Sequence, residues 1–334
     1  MRLFAPGKLF LSGEYAVLWG APAVLAAVSP GLQAAFELRS DGEIALRVPG
    51  GASRGVRQGD RIDWRGPEAP ARFARRALEL ALGDSARGLS LRMDDGARGP
   101  KNQKLGLGGS ASAAVLAAAA GRLARGLSIG AAEVFPVAAE AHWEVQGRRG
   151  SHGDVAASCH GGLIRYLRWP LERSPRPPPE ISALPDCGLE LALVFSGRSA
   201  KTPSMVSAVE AAFSAEARAR FVAESTALTD ALCEALAHRR EADARRALDA
   251  AGDLLARLGQ QTGVEVVTPT LARIAHVGRA HGLAAKVSGA GGGDGALLAG
   301  FDPEAMTAAR QALQREGFTS IEPRISGGLR AEPG

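Results

Sequence analysis

The segment Lys104 to Ala113, Lys-Leu-Gly-Leu-Gly-Gly-Ser-Ala-Ser-Ala, runs without interruption into the alanine-rich stretch Ala114 to Ala120. A glycine loop feeding straight into a helix leaves few folds open to a chain. Gly106, Gly108 and Gly109 allow backbone conformations closed to other residues and a close approach to a ligand. Ser110 and Ser112 stand where the helix begins, so first-turn amides and the positive end of the helix dipole face one anion. That is the pattern of a phosphate site. Taken alone, the same residues also fit a tight loop with an N-cap serine ahead of a buried helix.

Two further glycine-rich segments flank it at a distance, Ala5-Pro6-Gly7-Lys8 and Ser288-Gly289-Ala290-Gly291-Gly292-Gly293-Asp294. The lysines point to the same places. Of 40 basic residues only Lys8, Lys101, Lys104, Lys201 and Lys286 are lysine. Lys8, Lys104 and Lys286 each adjoin a glycine segment, which points to a task that a compact ammonium does and a planar guanidinium does not.

With 334 residues, 46% of them apolar, the chain can bury a sizeable core and make two modest domains. A net charge of +5 raises nucleic acid as a partner, but the arginines are dispersed and aromatic residues make up only 5%. The clusters Arg72 to Arg76 and Arg239 to Arg246 lie in alanine- and leucine-rich helical stretches, as solvated helix faces do. Cys159, Cys187 and Cys233 are odd in number and form no CxxC pair, which argues for free thiols in a reducing compartment and against zinc. The apolar run from Ala16 to Val28 is broken by Gly20 and Pro22, so neither a signal peptide nor a membrane anchor is expected, and the location is cytoplasmic.

The periodicity predicts strands at 8–12, 32–39, 43–48 and 89–93, then helices over 110–125 and 130–146 and a returning strand at 162–167. The run Ser174-Pro175-Arg176-Pro177-Pro178-Pro179 supports neither regular structure, and a domain boundary is expected at 173–180. Beyond it come a strand at 189–195, long helices over 203–257 interrupted near His238, a helix at 269–281, strands at 284–287 and 295–299, a helix at 303–316 and a strand near Ser320. The pattern is α+β, in two layers with the glycine loops meeting between them.

Two common nucleotide motifs do not account for the central loop. GxxxxGK[ST] does not occur. Gly106-x-Gly108-x-x-Ala111 matches the dinucleotide fingerprint in form, but Arg98 to Lys104 is polar and basic where that fold needs an apolar strand. The three glycine segments together resemble the GHMP kinase superfamily, named for galactokinase, homoserine kinase, mevalonate kinase and phosphomevalonate kinase. Ala5 to Leu18 is similar to its first motif, Leu105 to Ala114 to its second and Lys286 to Asp294 to its third. One departure is Gly109, where the family usually has the first of two serines; Ser110 keeps the second.

The resemblance implies a two-domain fold, with an N-terminal mixed β/α domain over 1–172 carrying the phosphate loop and a ferredoxin-like α+β domain over 181–334. It implies ATP and Mg2+ as cofactors, with the triphosphate held by Lys104, Gly106, Leu107, Gly108, Gly109, Ser110, Ala111 and Ser112. Gln146 to Ser158 resembles the stretch that supplies the catalytic aspartate in the phosphomevalonate and mevalonate kinases, which makes Asp154 the proton acceptor and Lys8 its cationic partner. Phosphoryl transfer needs positioning, charge neutralisation and a destination for the acceptor's proton more than covalent help. On residue type alone, Asp154 also fits an N-cap ahead of Val155-Ala156-Ala157. Ser110 is implied as a magnesium ligand; Glu144, or Glu140 on the same predicted helix, is a second candidate. His142 resembles the histidine of an Ala-His…Gln-Gly pattern in phosphomevalonate kinases.

The acceptor rests on finer features. Tyr15 stands where mevalonate kinases usually have histidine, and the third motif ends in Asp294 as in phosphomevalonate kinases. Arg198, Ser199, Lys201 and Thr202 follow a predicted strand and suit a second phosphate, while Thr202 and Pro203 equally suit a helix start. Trp19 to Val24 is instead similar to the mevalonate kinase version. The expected acceptor is 5-phosphomevalonate, contacted by Lys8, Tyr15, Ser151, His152, the 198–202 residues, Gly291 and Gly292, with mevalonate as the alternative. A diphosphomevalonate decarboxylase or a non-catalytic ligand-binding regulator are alternatives of another class. Partners are small molecules, not nucleic acid or membrane, for a monomer or homodimer.

Overall fold

A computed structural model describes residues 1–59, 61–94, 105–168, 178–198 and 202–332. In chain order it begins with β1 (Arg2–Ser12), a 3-10 turn (Ala16–Trp19), β2 (Pro22–Arg39), β3 (Ile44–Val48), β4 (Gly51–Gln58) and β5 (Arg61–Arg65). Then come α1 (Arg72–Leu82), β6 (Gly88–Met93), α2 (Gly109–Ala124), α3 (Ala131–Val145), α4 (Gly153–His160), β7 (Leu163–Leu167) and β8 (Glu180–Leu184). β9 (Glu190–Phe195) precedes four helices: α5 (Thr202–Ala212), α6 (Ala215–Ala237), α7 (Glu241–Thr262) and α8 (Pro269–Ala280). The chain closes with β10 (Ala284–Val287), β11 (Gly295–Gly300), α9 (Pro303–Arg315), β12 (Ser320–Ile321), β13 (Arg324–Ile325) and β14 (Arg330–Glu332).

Contacts divide the chain into two compact units. One holds Met1–Lys8, Ala27–Gly162 and Ile325–Gly334; the other holds Leu9–Ala26 and Leu163–Arg324. The units interleave along the sequence, and β1 and β2 each contribute residues to both. The single boundary expected at 173–180 falls largely on 173–177, which lie outside the described residues.

In the first unit β14, β1, β2, β6, β3, β4 and β5 are neighbours in that order, and the pairing of β3 with β6 is parallel. α2 is buried without interruption from Ala114 to Gly121, as a helix apolar on every side must be. Its Gly121 is required by α1, because a Cβ there would lie 2.6 Å from the Cβ of Ala81. Two expectations need correction here. Pro6 and Gly7 are not a loop but the interior of β1, whose Ala5 carbonyl lies where a side chain on Gly31 would stand. Nor are Arg72 to Arg76 all solvated: Arg75 is buried, donating to Ser53 Oγ (2.7 Å) and to the carbonyls of Gly66 (2.8 Å) and Pro67 (2.9 Å), and lies over the Trp64 ring. Those acceptors compensate a buried guanidinium that would otherwise be costly.

In the second unit β10, β11, β9 and β12 form an antiparallel sheet in that order. With α9 between β11 and β12 and the long helices between β9 and β10, this is the ferredoxin-like βαββαβ arrangement. Its core joins Val194, Ala296 and Leu298 of the sheet to Leu254, Leu258, Leu271 and Ile274 of α7 and α8. The predicted run over 203–257 is three helices, with Ser214 capping α6 through its hydroxyl. Arg239, Arg240, Arg245 and Arg246 are solvated as expected, several of them in exposed ion pairs.

Candidate active site

The glycine loop is built as a cradle whose floor is apolar. Leu105 and Leu107 turn inward, while Gly106 (φ 71°) and Gly108 (φ 80°) take the left-handed conformation that lets the chain bend between them. Gly108 is the N-cap of α2; its carbonyl accepts from the amides of Ala111 (2.9 Å) and Ser112 (3.2 Å), and no side chain caps the helix. Other first-turn amides lack an intrahelical acceptor by construction, so the positive end of α2 is left to an anion.

Lys8 is held against this cradle by the backbone. Its amide donates to the Leu107 carbonyl (2.8 Å), and a Cβ on Gly108 would stand 3.1 Å from Lys8 Cγ and Cε. Ser112 and Ser158 both donate to the Pro6 carbonyl, at 2.8 and 2.9 Å, which fastens β1 to α2 and α4. Ser112, expected on the phosphate, therefore has its hydroxyl turned into the protein, 1% exposed.

Asp154 lies in the first turn of α4, whose N-cap is His152 (φ 65°), so the N-cap reading of Asp154 does not hold. One carboxylate oxygen accepts from the Val155 amide (3.0 Å); the other lies 3.8 Å from His142 Nε2. Burial pushes the Asp154 carboxyl up, yet His142, Lys8, the Val155 amide and His152 outweigh it, and the group is held below the usual carboxylate range. A carboxylate in a first turn also meets the favourable end of the helix dipole. His142 is buried, stacked on Phe73 at 4.8 Å, with Nε2 3.2 Å from Ser110 Oγ. It thus links the loop serine to the aspartate, a connection the sequence did not disclose. Ser151 accepts from the Gly153 amide (3.3 Å), and His152 lies edge-on to Trp143.

A cavity of roughly 480 Å3 opens beside the loop, lined by Gly106 to Ser110 on one side and by Pro30, Leu32, Val48, Pro49 and Phe73 on the other. Glu144, expected on magnesium, pairs with Arg76, which also holds Glu79 at 2.9 Å; Glu140 is exposed. Among the described residues no three imidazole, thiol or carboxylate groups converge to hold a metal by themselves. Lys101 and Lys104 lie outside the described residues.

The second unit holds the third motif and the acceptor-loop residues. Tyr15 is buried and its hydroxyl donates to the Ala290 carbonyl (2.7 Å); burial, with the Glu14 charge, pushes the phenol up. Gly291 (φ 74°) and Gly292 (φ 70°) are tight positions, since a Cβ would stand 2.1 Å from the Val266 carbonyl at the first and 2.4 Å from Met205 Sδ at the second. The Arg198 carbonyl accepts from the Asp294 amide (2.6 Å), which ties its exposed turn to the third motif. Ser199, Lys201 and the Thr202 side chain lie outside the described residues, though α5 does begin at Thr202. Trp19, from the segment favouring mevalonate, packs with Phe213 and Phe221 in an aromatic cluster and so has a role in packing.

Comparison with known proteins agrees with this architecture. The model of the GHMP kinases N terminal domain matches residues 71–162, and that of the GHMP kinases C terminal matches 232–319. A phosphomevalonate kinase of Streptomyces sp. strain CL190 is 30% identical, covering 96% of this chain and 94% of its own. A mevalonate kinase of Thermococcus sibiricus is 26% identical, covering 98% of this chain and 97% of its own. Among solved structures, Streptococcus pneumoniae phosphomevalonate kinase in complex with phosphomevalonate and AMPPNP matches with a TM-score of 0.79 at 19% identity, over 98% of this chain and 100% of that one. No helix of the described residues is long and apolar enough to cross a membrane. The chain has the two-domain fold of the GHMP kinases, belongs to that family, and is an ATP-dependent kinase.

Proposed function

We propose that the protein transfers the γ-phosphoryl group of ATP to 5-phosphomevalonate, giving 5-diphosphomevalonate and ADP. The observation that carries this reading is Asp154: a carboxylate held low by His142 and Lys8, and linked through His142 to Ser110 in the first turn of α2. The 30% identity to a phosphomevalonate kinase along nearly the whole chain supports the phosphorylated acceptor, as does Tyr15 in place of histidine.

The loop amides from Gly106 to Ser110 bind the triphosphate, and the apolar wall of Pro30, Leu32, Val48, Pro49 and Phe73 takes the nucleoside. Ser110 fits a magnesium ligand: its hydroxyl is a hard oxygen donor at the cavity, and Mg2+ characteristically takes one or two protein oxygens together with phosphate and water. When bound, Mg2+ neutralises charge on the phosphates. His142 holds Ser110 by its hydroxyl. The attacking group is an oxygen of the acceptor's 5-phosphate, which forms the new P–O–P bond as the bond to ADP breaks; Asp154 takes the proton that this phosphate carries as a monoanion, and Lys8 offsets its negative charge. A carboxylate of low pKa is a weak base, but the loose transition state of phosphoryl transfer asks for proton removal late. Arg198, Ser199, Lys201 and Thr202 contact the acceptor's existing phosphate.

ADP release by the purified protein with Mg-ATP, compared between 5-phosphomevalonate and mevalonate, tests the reading. A kcat/KM at least about a hundredfold higher for 5-phosphomevalonate is expected, since a site built for a second phosphate leaves its polar groups unpaired with the smaller acceptor. Equal or reversed preference overturns it.

A further inference from the structure

The first and third motifs are joined inside the second unit by a pair of buried charges. Lys286 is 3% exposed and Glu14 5% exposed, and Lys286 Nζ donates to the Glu14 carboxylate. The same ammonium donates to the carbonyls of Val287 (3.0 Å) and Phe10 (3.4 Å), so all three of its protons have acceptors. Room for the side chain comes from α7, where a Cβ on Gly252 would stand 2.9 Å from Lys286 Cβ. One residue beyond Glu14, the Tyr15 hydroxyl donates to the carbonyl of Ala290, four residues beyond Lys286 (2.7 Å). Motif 1 thus grips motif 3 through Tyr15, and motif 3 grips motif 1 through Lys286.

A buried ion pair is weak evidence for stability, because well-packed apolar residues of the same size serve as well or better. A chain with 5 lysines among its 40 basic residues nevertheless keeps one here, where three acceptors surround a compact ammonium. We propose that Lys286, Glu14 and Tyr15 form a positioning latch. It fixes the glycine loop Ser288 to Asp294 and, through the Asp294 amide on its carbonyl, the backbone of Arg198. Glu14 and Lys286 are buried against each other and the Tyr15 hydroxyl is given to the Ala290 carbonyl, so the three act through the loop. This inference rests on the acceptor reading above for the site it serves, but the latch itself does not depend on which acceptor is used.

The test compares wild type, E14M/K286M and Y15F by thermal unfolding, hydrogen exchange of the 288–294 peptide, and steady-state kinetics. The double variant replaces both charges by apolar chains of similar length, so its melting temperature is expected to stay near wild type. The latch predicts faster exchange across 288–294 at that unchanged melting temperature, and kcat/KM for the acceptor lower by about tenfold to a hundredfold, as misplacement of a substrate loop produces. Y15F keeps the ring, removes one donor, and is expected to show the same signature in weaker form. If E14M/K286M fails to fold, Y15F decides. Exchange and kcat/KM at wild-type values in a folded variant would overturn the latch. A wild-type enzyme inactive on 5-phosphomevalonate, with the exchange difference present, would overturn the acceptor and leave the latch standing.

Discussion

Gly108 concentrates the geometry of the cradle in a single position, and adding one methyl group there has a calculable effect. At φ 80° an L-residue carries a cost of roughly 1–2 kcal/mol that glycine does not. The new Cβ would also stand 3.1 Å from Lys8 Cγ and Cε, closer than ordinary contact. Two responses are open to Gly108→Ala. Either the loop stays as it is and the strain appears as lost stability, a fall of a few degrees in melting temperature, or it relaxes and carries Lys8 and the first amides of α2 out of place. The second response appears as kcat/KM for ATP reduced by a factor of roughly 5–30, the same free energy expressed in rate. The adjacent Gly109 supplies the control: it is the first residue of α2, and a Cβ there meets nothing within 4 Å. Gly109→Ala should melt at or slightly above wild type, since alanine favours the helix by up to about 1 kcal/mol. Differential scanning calorimetry and initial rates on the two variants make the assay. Gly108→Ala with both melting temperature and kcat/KM at wild-type values would mean that the loop does not depend on glycine at this position.

Other expectations follow from the same geometry. Asp154→Asn should fold normally and lose about a hundredfold to ten-thousandfold in kcat, measured as ADP release; near wild-type turnover would remove Asp154 from the role of base. Because the Asp154 carboxyl is held below its unfolded value, its stabilising effect is complete above that value and is lost as pH falls through the lowered one. The acid limb of kcat/KM should accordingly lie below the ordinary aspartate range, and His142→Gln, which removes a neighbour that lowers it, should move the limb upward; an unmoved limb would contradict the pairing. Gly121→Ala should lower stability by about 1–3 kcal/mol despite the better helix propensity, because the methyl meets Ala81 Cβ at 2.6 Å; denaturant unfolding reads it, and a stabilised variant would count against that packing.

Local patterns carried much of this account. The alanine run after Gly108 and the buried strand Glu190–Phe195 have composition and periodicity of their own, and the motif residues Lys8, Ser110 and Asp154 fall together in one unit. What sequence reading missed depends on distant partners. β4, Gly-Ala-Ser-Arg-Gly-Val-Arg-Gln, has little intrinsic preference for a strand and is held as one by pairing with β3 and β5. Pro6-Gly7 looks like a break, yet continues as strand because its carbonyl is taken up by Ser112 and Ser158 from far along the chain. Arg76 claims Glu144 across 68 positions and Lys286 claims Glu14 across 272; no window of sequence contains either pair. The scarcity of lysine was the one available signal for the second.

Phosphorus NMR of the products formed from Mg-ATP and 5-phosphomevalonate distinguishes phosphoryl transfer to that acceptor from its alternatives. Coupled resonances of a diphosphate ester should appear together with ADP, without release of carbon dioxide. An unchanged 5-phosphomevalonate resonance, with mevalonate converted to a phosphate monoester under the same conditions, would contradict it.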